Sequence, residues 1–261
     1  MPASGALDLL MVSGEYPPSI GGVGDYTEIL CRALLRHGMK VGVLTTQRAA
    51  VHGHRDDGLH VLRTVDKWDR ECWGRVAGAA RETGARIVHF QYQAAAYQLH
   101  GAVNLLPLFQ RLRTPGVRTV TTFHDLKVPY LFPKAGRLRK ASLRAMARYS
   151  DGLVLTNGAD LAEMGGDQKG RRWCIPIGSN IPNSPPISYD RQEWRRTRFC
   201  AAPETLVLAY FGLANLSKGI EVAVQAASIL RARGTDVRLV VVGGQEGASD
   251  PTNRAYAGSL S

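Results

Sequence analysis

"EYPPSIGGVGDYTEIL", residues 15–30, follows an apolar run made of Leu7, Leu9, Leu10, Met11 and Val12. Pro17 and Pro18 exclude helix and favour extended backbone, so the strand predicted over 7–12 ends in a loop. Gly21 and Gly22 permit φ > 0 and let the backbone approach a neighbouring group with no Cβ between them. The helix expected next, Val23 to His37, points its unsatisfied N–H groups back into that loop. Such a place suits an anion, and phosphate is the usual one. The same residues equally describe a tight strand-to-helix turn with no ligand, and on this stretch alone both readings stand.

Outward from this stretch, strand-like runs alternate with helical ones. "KVGVLTT" (40–46), "LHVLRTV" (59–65), "ARIVHFQY" (85–92), "RTVTTFH" (118–124), "GLVLTN" (152–157) and "RRWCIPI" (171–177) read as strands. Residues 69–83, 100–112, 136–149 and 158–165 carry helical patterns. This alternation predicts an α/β fold with a parallel sheet, and the nearly continuous apolar runs predict buried strands. In such sheets the ligand crevice lies at the carboxyl ends of the strands. The Gly21–Gly22 loop and the "FHD" of residues 123–125 both fall at such ends, so both can face one crevice.

After "GSNIPNSPPISYD" (178–190), which reads as a linker, a second alternation begins. It runs through the basic segment "RQEWRRTRF", a strand at 205–212, a helix at 219–234 and a strand at 236–244. A complete sheet domain is expected over 1–185. An incomplete second one is expected over 186–261, because two strands and one helix cannot cover the faces of a parallel sheet. Its uncovered apolar faces favour association with another chain.

The 261 residues carry 33 Lys and Arg against 22 Asp and Glu, a formal charge of +11. That balance admits nucleic acid, an anionic membrane face or a phosphate-rich small substrate. No nucleic-acid module is visible, so nucleic acid is not expected. The densest basic stretch, "KAGRLRKASLRAMARYS" (134–150), reads as a helix. Leu138, Ala141 and Ala145 form one stripe, and Arg137, Lys140, Arg144 and Arg148 another. That second stripe is either a solvated face or a contact for an anionic membrane surface. No apolar run is long enough to span a bilayer, and "MPASGALDLL" lacks the pattern of a secretory signal. Cys31, Cys72, Cys174 and Cys200 are scattered without a C-x-x-C pair, as expected of reduced thiols. The expected location is cytoplasmic, with peripheral contact at the inner face of a membrane.

"EYPPSIGGVGDYTEIL", "TFHD", "IPIGSNIP", "YFGLANLSKGIEVAVQAA" and "RLVVVGG", in this order, resemble a retaining glycosyltransferase of the GT-B fold, family four. The resemblance implies two Rossmann-like domains, the first holding the acceptor and the second a nucleotide-diphosphate sugar. It implies that Gly21 and Gly22 approach the donor's diphosphate. His124 would lie beside the reacting sugar and the acceptor, and Lys218 would hold the donor's phosphates. Tyr16, Gln91 and Asp125 are assigned to the acceptor side, although Asp125 could equally cap the following turn. A positioned ammonium and a helix N-terminus stabilise charge growing on a leaving diphosphate, so neither metal nor cofactor is expected. Consistently, the chain contains no D-x-D. The acceptor stays open: a glycan, a lipid-linked sugar or a small molecule.

Two features depart from that family. Leu213 stands where many members have an arginine paired with the lysine. None of the nine glutamates has another eight positions later, so the E-x7-E contact to the donor sugar is missing. The resemblance therefore implies a C-terminally truncated enzyme, inactive or weak as this chain alone. The competing expectation is a non-catalytic acceptor-binding or interaction module whose donor half is lost or supplied by a partner. A dinucleotide-binding enzyme fits poorly, because the first turn lacks G-x-G-x-x-G in the required short form.

Overall fold

In the computed structural model, which describes residues 5–47, 58–126, 136–165, 171–180, 188–212 and 219–243, with backbone alone at 136–139, the run ahead of the prolines forms β1 (Leu9–Ser13). All five of its residues are buried. Side chains alternate across a strand, so Leu10 and Val12 enter one core while Leu9 and Met11 enter another on the opposite face. A strand apolar on both faces must sit inside a sheet with both faces covered.

The chain divides into two compact units, Met1–Asn180 and Ile181–Ser261. In the first, β1 is joined by β2 (Val41–Thr46), β3 (His60–Val65), β4 (Ile87–Tyr92), β5 (Arg118–Phe123), β6 (Gly152–Leu155) and β7 (Arg172–Cys174). They form one seven-stranded sheet in the order β3-β2-β1-β4-β5-β6-β7, with every pair parallel. This is a Rossmann-like α/β sheet. Helix α1 (Gly22–Arg36) closes one face, packing Leu30, Cys31, Leu34 and Leu35 against Leu9, Met11, Val41 and Val43. On the other face lie α2 (Cys72–Glu82), α3 (Leu106–Arg113), α4 (Gly136–Tyr149) and α5 (Gly158–Glu163), which join the larger core around Trp68, Phe90, Tyr97 and Phe123. Each fully buried apolar side chain of that size contributes about 1.5–3 kcal/mol.

Local chemistry accounts for where the elements differ from expectation. The helix expected over 100–112 begins as a 3-10 turn, Gly101–Leu105, and becomes α3 at Leu106. Pro107 has no N–H and its ring would crowd the carbonyl four residues back, so the α-helix starts beside it. The strand expected over 171–177 ends at Cys174. Ile175 still donates to the Leu155 carbonyl at 2.9 Å, but Pro176 has no donor to continue the ladder.

Helix α4 corrects the expected apolar stripe. Ala141 is exposed and Ala145 half-buried, whereas Leu143, Met146 and Ala147 are buried in the larger core. Leu143 and Met146 remove far more apolar area from water than Ala141 and Ala145, so the helix turns that face inward; the side chains of Arg137 and Leu138, also named for the two stripes, lie outside the described residues. Arg144 and Arg148 are exposed, and Lys140 pairs with Glu163 at 3.7 Å. Among the described residues no helix is long and apolar enough to cross a membrane.

In the second unit, α6 (Arg191–Phe199) is capped by Asp190, whose carboxylate accepts from the N–H groups of Gln192 and Glu193 at 2.8 and 3.0 Å. Strands β8 (Leu206–Phe211) and β9 (Val237–Val242) pair in parallel, joined by α7 (Ile220–Ala232). Ile220, Ala227 and Val237 are buried, while Phe211 and Val222 are 69% and 62% exposed.

Candidate functional site

The strand order reverses between β1 and β4: the chain leaves β1 toward β2 and returns to β4 on the other side. In open α/β sheets the ligand crevice lies at such a reversal, outside the carboxyl ends of the strands. The loop leaving β1 is tied down at several points. Ser13 Oγ donates to the Glu15 carbonyl at 2.6 Å, and Arg63 Nη2 donates to the Pro17 carbonyl at 2.8 Å. The Arg63 guanidinium also lies over the Tyr16 ring, 5.5 Å from its centroid.

The two glycines at the head of α1 do different work. Gly21 is the N-cap, in extended backbone that any residue adopts. A methyl group there would meet the Glu15 carboxyl, with Oε1 at 2.6 Å, so the absent side chain makes room for a buried carboxylate beside the positive end of α1. Gly22 has nothing within 4 Å of where a Cβ would stand and is exposed. Gly24 allows the close approach of α1 to the loop, with Tyr16 Cα at 3.2 Å from its virtual Cβ. Gly21 has no side chain with which to cap the first turn, and the N–H groups at the head of a helix suit an anion.

His124 sits one residue past β5, where its N–H donates to the Tyr92 carbonyl at 2.9 Å and extends the β4–β5 ladder. Its Nε2 meets Gln91 Oε1 at 2.8 Å, and Gln91 Nε2 donates to Met11 Sδ at 2.9 Å. The ring lies edge-to-face with Tyr26 of α1, centroids 4.9 Å apart and planes at 81°. On the same sheet face His89 Nε2 meets Thr122 Oγ1 at 2.8 Å. Burial lowers the pKa of His124 to about 4; burial, with a smaller repulsion from His124, does the same for His89. Both imidazoles are therefore neutral at pH 7. Burial raises the Tyr26 pKa, so its hydroxyl also stays neutral.

The sequence-predicted residues thus separate. Gly21, Gly22 and His124 come to one edge of the sheet, joined through Tyr26 one turn into α1. Asp125 follows there, half-buried. Gln91 is fully buried and reaches the crevice through His124 rather than by its own surface. Tyr16 is 2% exposed and packs into the core beneath α1. Lys218 and Leu213 lie outside the described residues. Sequence reasoning missed Tyr26, although its place four residues after Gly22 sets it on the same side of the helix. It also missed Glu15 and Met11, whose parts depend on contacts no local pattern encodes. Among the described residues no cluster of His, Cys, Asp and Glu is arranged to hold a metal ion.

Residues 20–169, over half of the chain, match Glycosyltransferase Family 4. The chain belongs to that family. No protein of curated function matches it by sequence. Among solved structures, it resembles a UDP-forming α,α-trehalose-phosphate synthase from Burkholderia xenovorans, with TM-score 0.55 and 15% identity over 97% of this chain and 68% of that one. It also resembles a Listeria monocytogenes protein described as a UDP-N-acetylglucosamine 2-epimerase, with TM-score 0.53 and 14% identity over 98% and 66%. A third is an α-glucosyltransferase solved with UDP and a 13-mer DNA containing an HMU base, with TM-score 0.51 and 11% identity over 94% and 59%. These likenesses show the fold. The chain spans 59% of that glucosyltransferase's length.

Proposed function

We propose that this member of Glycosyltransferase Family 4 transfers a sugar from a nucleotide-diphosphate sugar to an acceptor hydroxyl, with retention of configuration and without a metal ion. One observation supports the reading: α1 begins at Gly22 behind a glycine N-cap, and its Tyr26 touches the His124 ring at the end of β5, inside the segment that matches the family. The bond that breaks joins the anomeric carbon to the diphosphate; the bond that forms joins that carbon to the acceptor oxygen, whose proton is released. Charge grows on the departing diphosphate. The N–H groups of Gly22 and its neighbours, with the Lys218 ammonium, would stabilise it where it is largest. His124, neutral at pH 7, would serve as a hydrogen-bonding group for a sugar or acceptor hydroxyl rather than as a cation. Asp125 stands beside it on the acceptor side, and Gly21 shapes the loop.

All three fold neighbours have UDP in their descriptions, as bound ligand, product or part of the substrate, which makes uridine-diphosphate sugars the first donors to try. The test incubates the purified chain with uridine- and guanosine-diphosphate sugars and a panel of sugar and lipid acceptors. Donor-dependent release of nucleoside diphosphate is measured with and without EDTA, and the product's anomeric configuration is read by NMR. Release that survives EDTA, yields a retained product and falls in His124→Ala and Lys218→Ala is the expected result. Inverted product or EDTA-sensitive transfer overturns the mechanism. Acceptor binding with no release of nucleoside diphosphate would select a binding module without turnover instead.

A further inference from the structure

We propose that Gln91 is a positioning residue that holds His124 in its Nε2–H tautomer, leaving Nδ1 as a lone-pair acceptor for a hydroxyl in the crevice. The inference deepens the reading of His124 given above and rests on it. Gln91 is 0% exposed, so both ends of its amide must be satisfied inside the protein. At one end Nε2 meets Met11 Sδ at 2.9 Å, and a thioether sulfur can only accept. The amide nitrogen must therefore face Met11, because the flipped amide would set oxygen lone pairs against sulfur lone pairs. The amide oxygen then faces His124 Nε2 at 2.8 Å and, being an acceptor, demands a proton there. A neutral imidazole carries one N–H, so Nδ1 is left bare. The hydrogen bond of the His124 ring among the described residues is made by Nε2, not Nδ1.

The chain Met11–Gln91–His124 crosses three strands, β1, β4 and β5, which are neighbours in the sheet. The register that sets Ser13 opposite Gln91 and Gln91 opposite Thr122 fixes the middle link. Tyr26 supports the ring from α1 and holds its plane. Met11 and Gln91 cannot slide without breaking the sheet, so the proton's place is built into the fold. A crevice hydroxyl then meets an acceptor at His124, not a donor, which selects groups that have a proton to give: a sugar hydroxyl or the attacking acceptor alcohol.

The experiment is long-range ¹H–¹⁵N NMR of the intact chain, which distinguishes the two neutral tautomers, with His124→Gln used to assign the signals. Expected at pH 7 is Nε2–H with an unprotonated Nδ1. In Met11→Leu, which keeps the volume but removes the sulfur acceptor, the amide is released and a mixed or Nδ1–H population appears while the fold is retained. In Gln91→Glu the carboxylate still accepts, so the Nε2–H form persists. Turnover, where a donor and acceptor have been found, falls about tenfold or more in Met11→Leu and Gln91→Leu, chiefly in kcat. An Nδ1–H tautomer in the wild-type chain overturns the proposal, as does an unshifted tautomer in both Met11→Leu and Gln91→Leu. The NMR result is independent of transfer. An Nε2–H signal in a chain that transfers nothing would count against the proposed function and leave the assignment of the proton standing.

Discussion

The ring of His124, at the end of β5, rests edge-to-face on the ring of Tyr26, in the second turn of α1, with centroids 4.9 Å apart. The contact joins α1, which follows β1, to the end of β5 across the switch point of the sheet. An aromatic pair of this kind is worth about 0.5–1.5 kcal/mol beyond burial of area. Tyr26→Phe should preserve both stability and turnover. Tyr26→Ala should lower turnover more than it lowers Tm, because His124 loses its support while the core beneath stays intact. Equal loss in Phe and Ala variants would mean that the hydroxyl, not the ring contact, matters.

Gly21 and Gly22 should respond differently to the same change. Gly21→Ala drives a methyl group into the buried Glu15 carboxyl and should destabilise the first unit by about 1–3 kcal/mol, read by urea denaturation. Gly22→Ala meets open space in the first turn of a helix, so the fold should hold or gain slightly, by up to about 1 kcal/mol. If the loop lies against a diphosphate, Gly22→Ala should still weaken donor binding about tenfold, or about 1.4 kcal/mol, by calorimetry. An unchanged affinity would take Gly22 out of the donor site.

His124→Ala should keep the circular dichroism spectrum but lower Tm by a few degrees, since the buried Gln91 amide oxygen loses its partner at a cost of about 1–3 kcal/mol. Turnover should drop about 10²-fold or more if the imidazole touches the reacting groups. A full-rate variant would make the histidine structural.

Stability should rise with pH between about 4 and 6.5. His89 and His124 titrate near 4 in the folded chain, against 6.5 for an unperturbed histidine. Over that window the unfolded chain binds more protons, so acid favours unfolding; above 6.5 the contribution is fully present, and as pH falls through 4 it is lost. Thermal melts at pH 5 and pH 7.5 should differ by several degrees, since about 1 kcal/mol moves Tm by roughly 2–4 °C in a domain of this size. His89→Gln should flatten the dependence. A pH-independent Tm across the window would mean that both rings are freely hydrated.

The elements were legible because their causes are local. The apolar run before Pro17, the glycines at 21 and 22, and the apolar stretches at 41–46, 87–92 and 118–123 each carry their own signal, and the structure has strands or a helix at every one. The edge that holds Gly22 and His124 was also legible, since both follow strands and a parallel sheet has one carboxyl side. The facing of α4 was not. Its stripes differ only by the size of the apolar residues, and the choice between alanines and Leu143 with Met146 is made by the area available on the sheet.

Chain order and side-chain type were enough to make this an alternating α/β protein with a glycine loop at the head of its first helix and a histidine at a strand end. Periodicity and backbone restriction act over a few residues, so they can be read without knowing what lies across the sheet. Why Tyr16 is buried while Tyr26 touches His124, and where the proton of His124 resides, depend on partners far apart in sequence: Arg63 with Tyr16, and Met11 with Gln91. Those pairings exist only once β1, β3, β4 and β5 are aligned in register, because a hydrogen bond or ring contact is decided within about an ångström and no pattern along the chain carries distance at that scale.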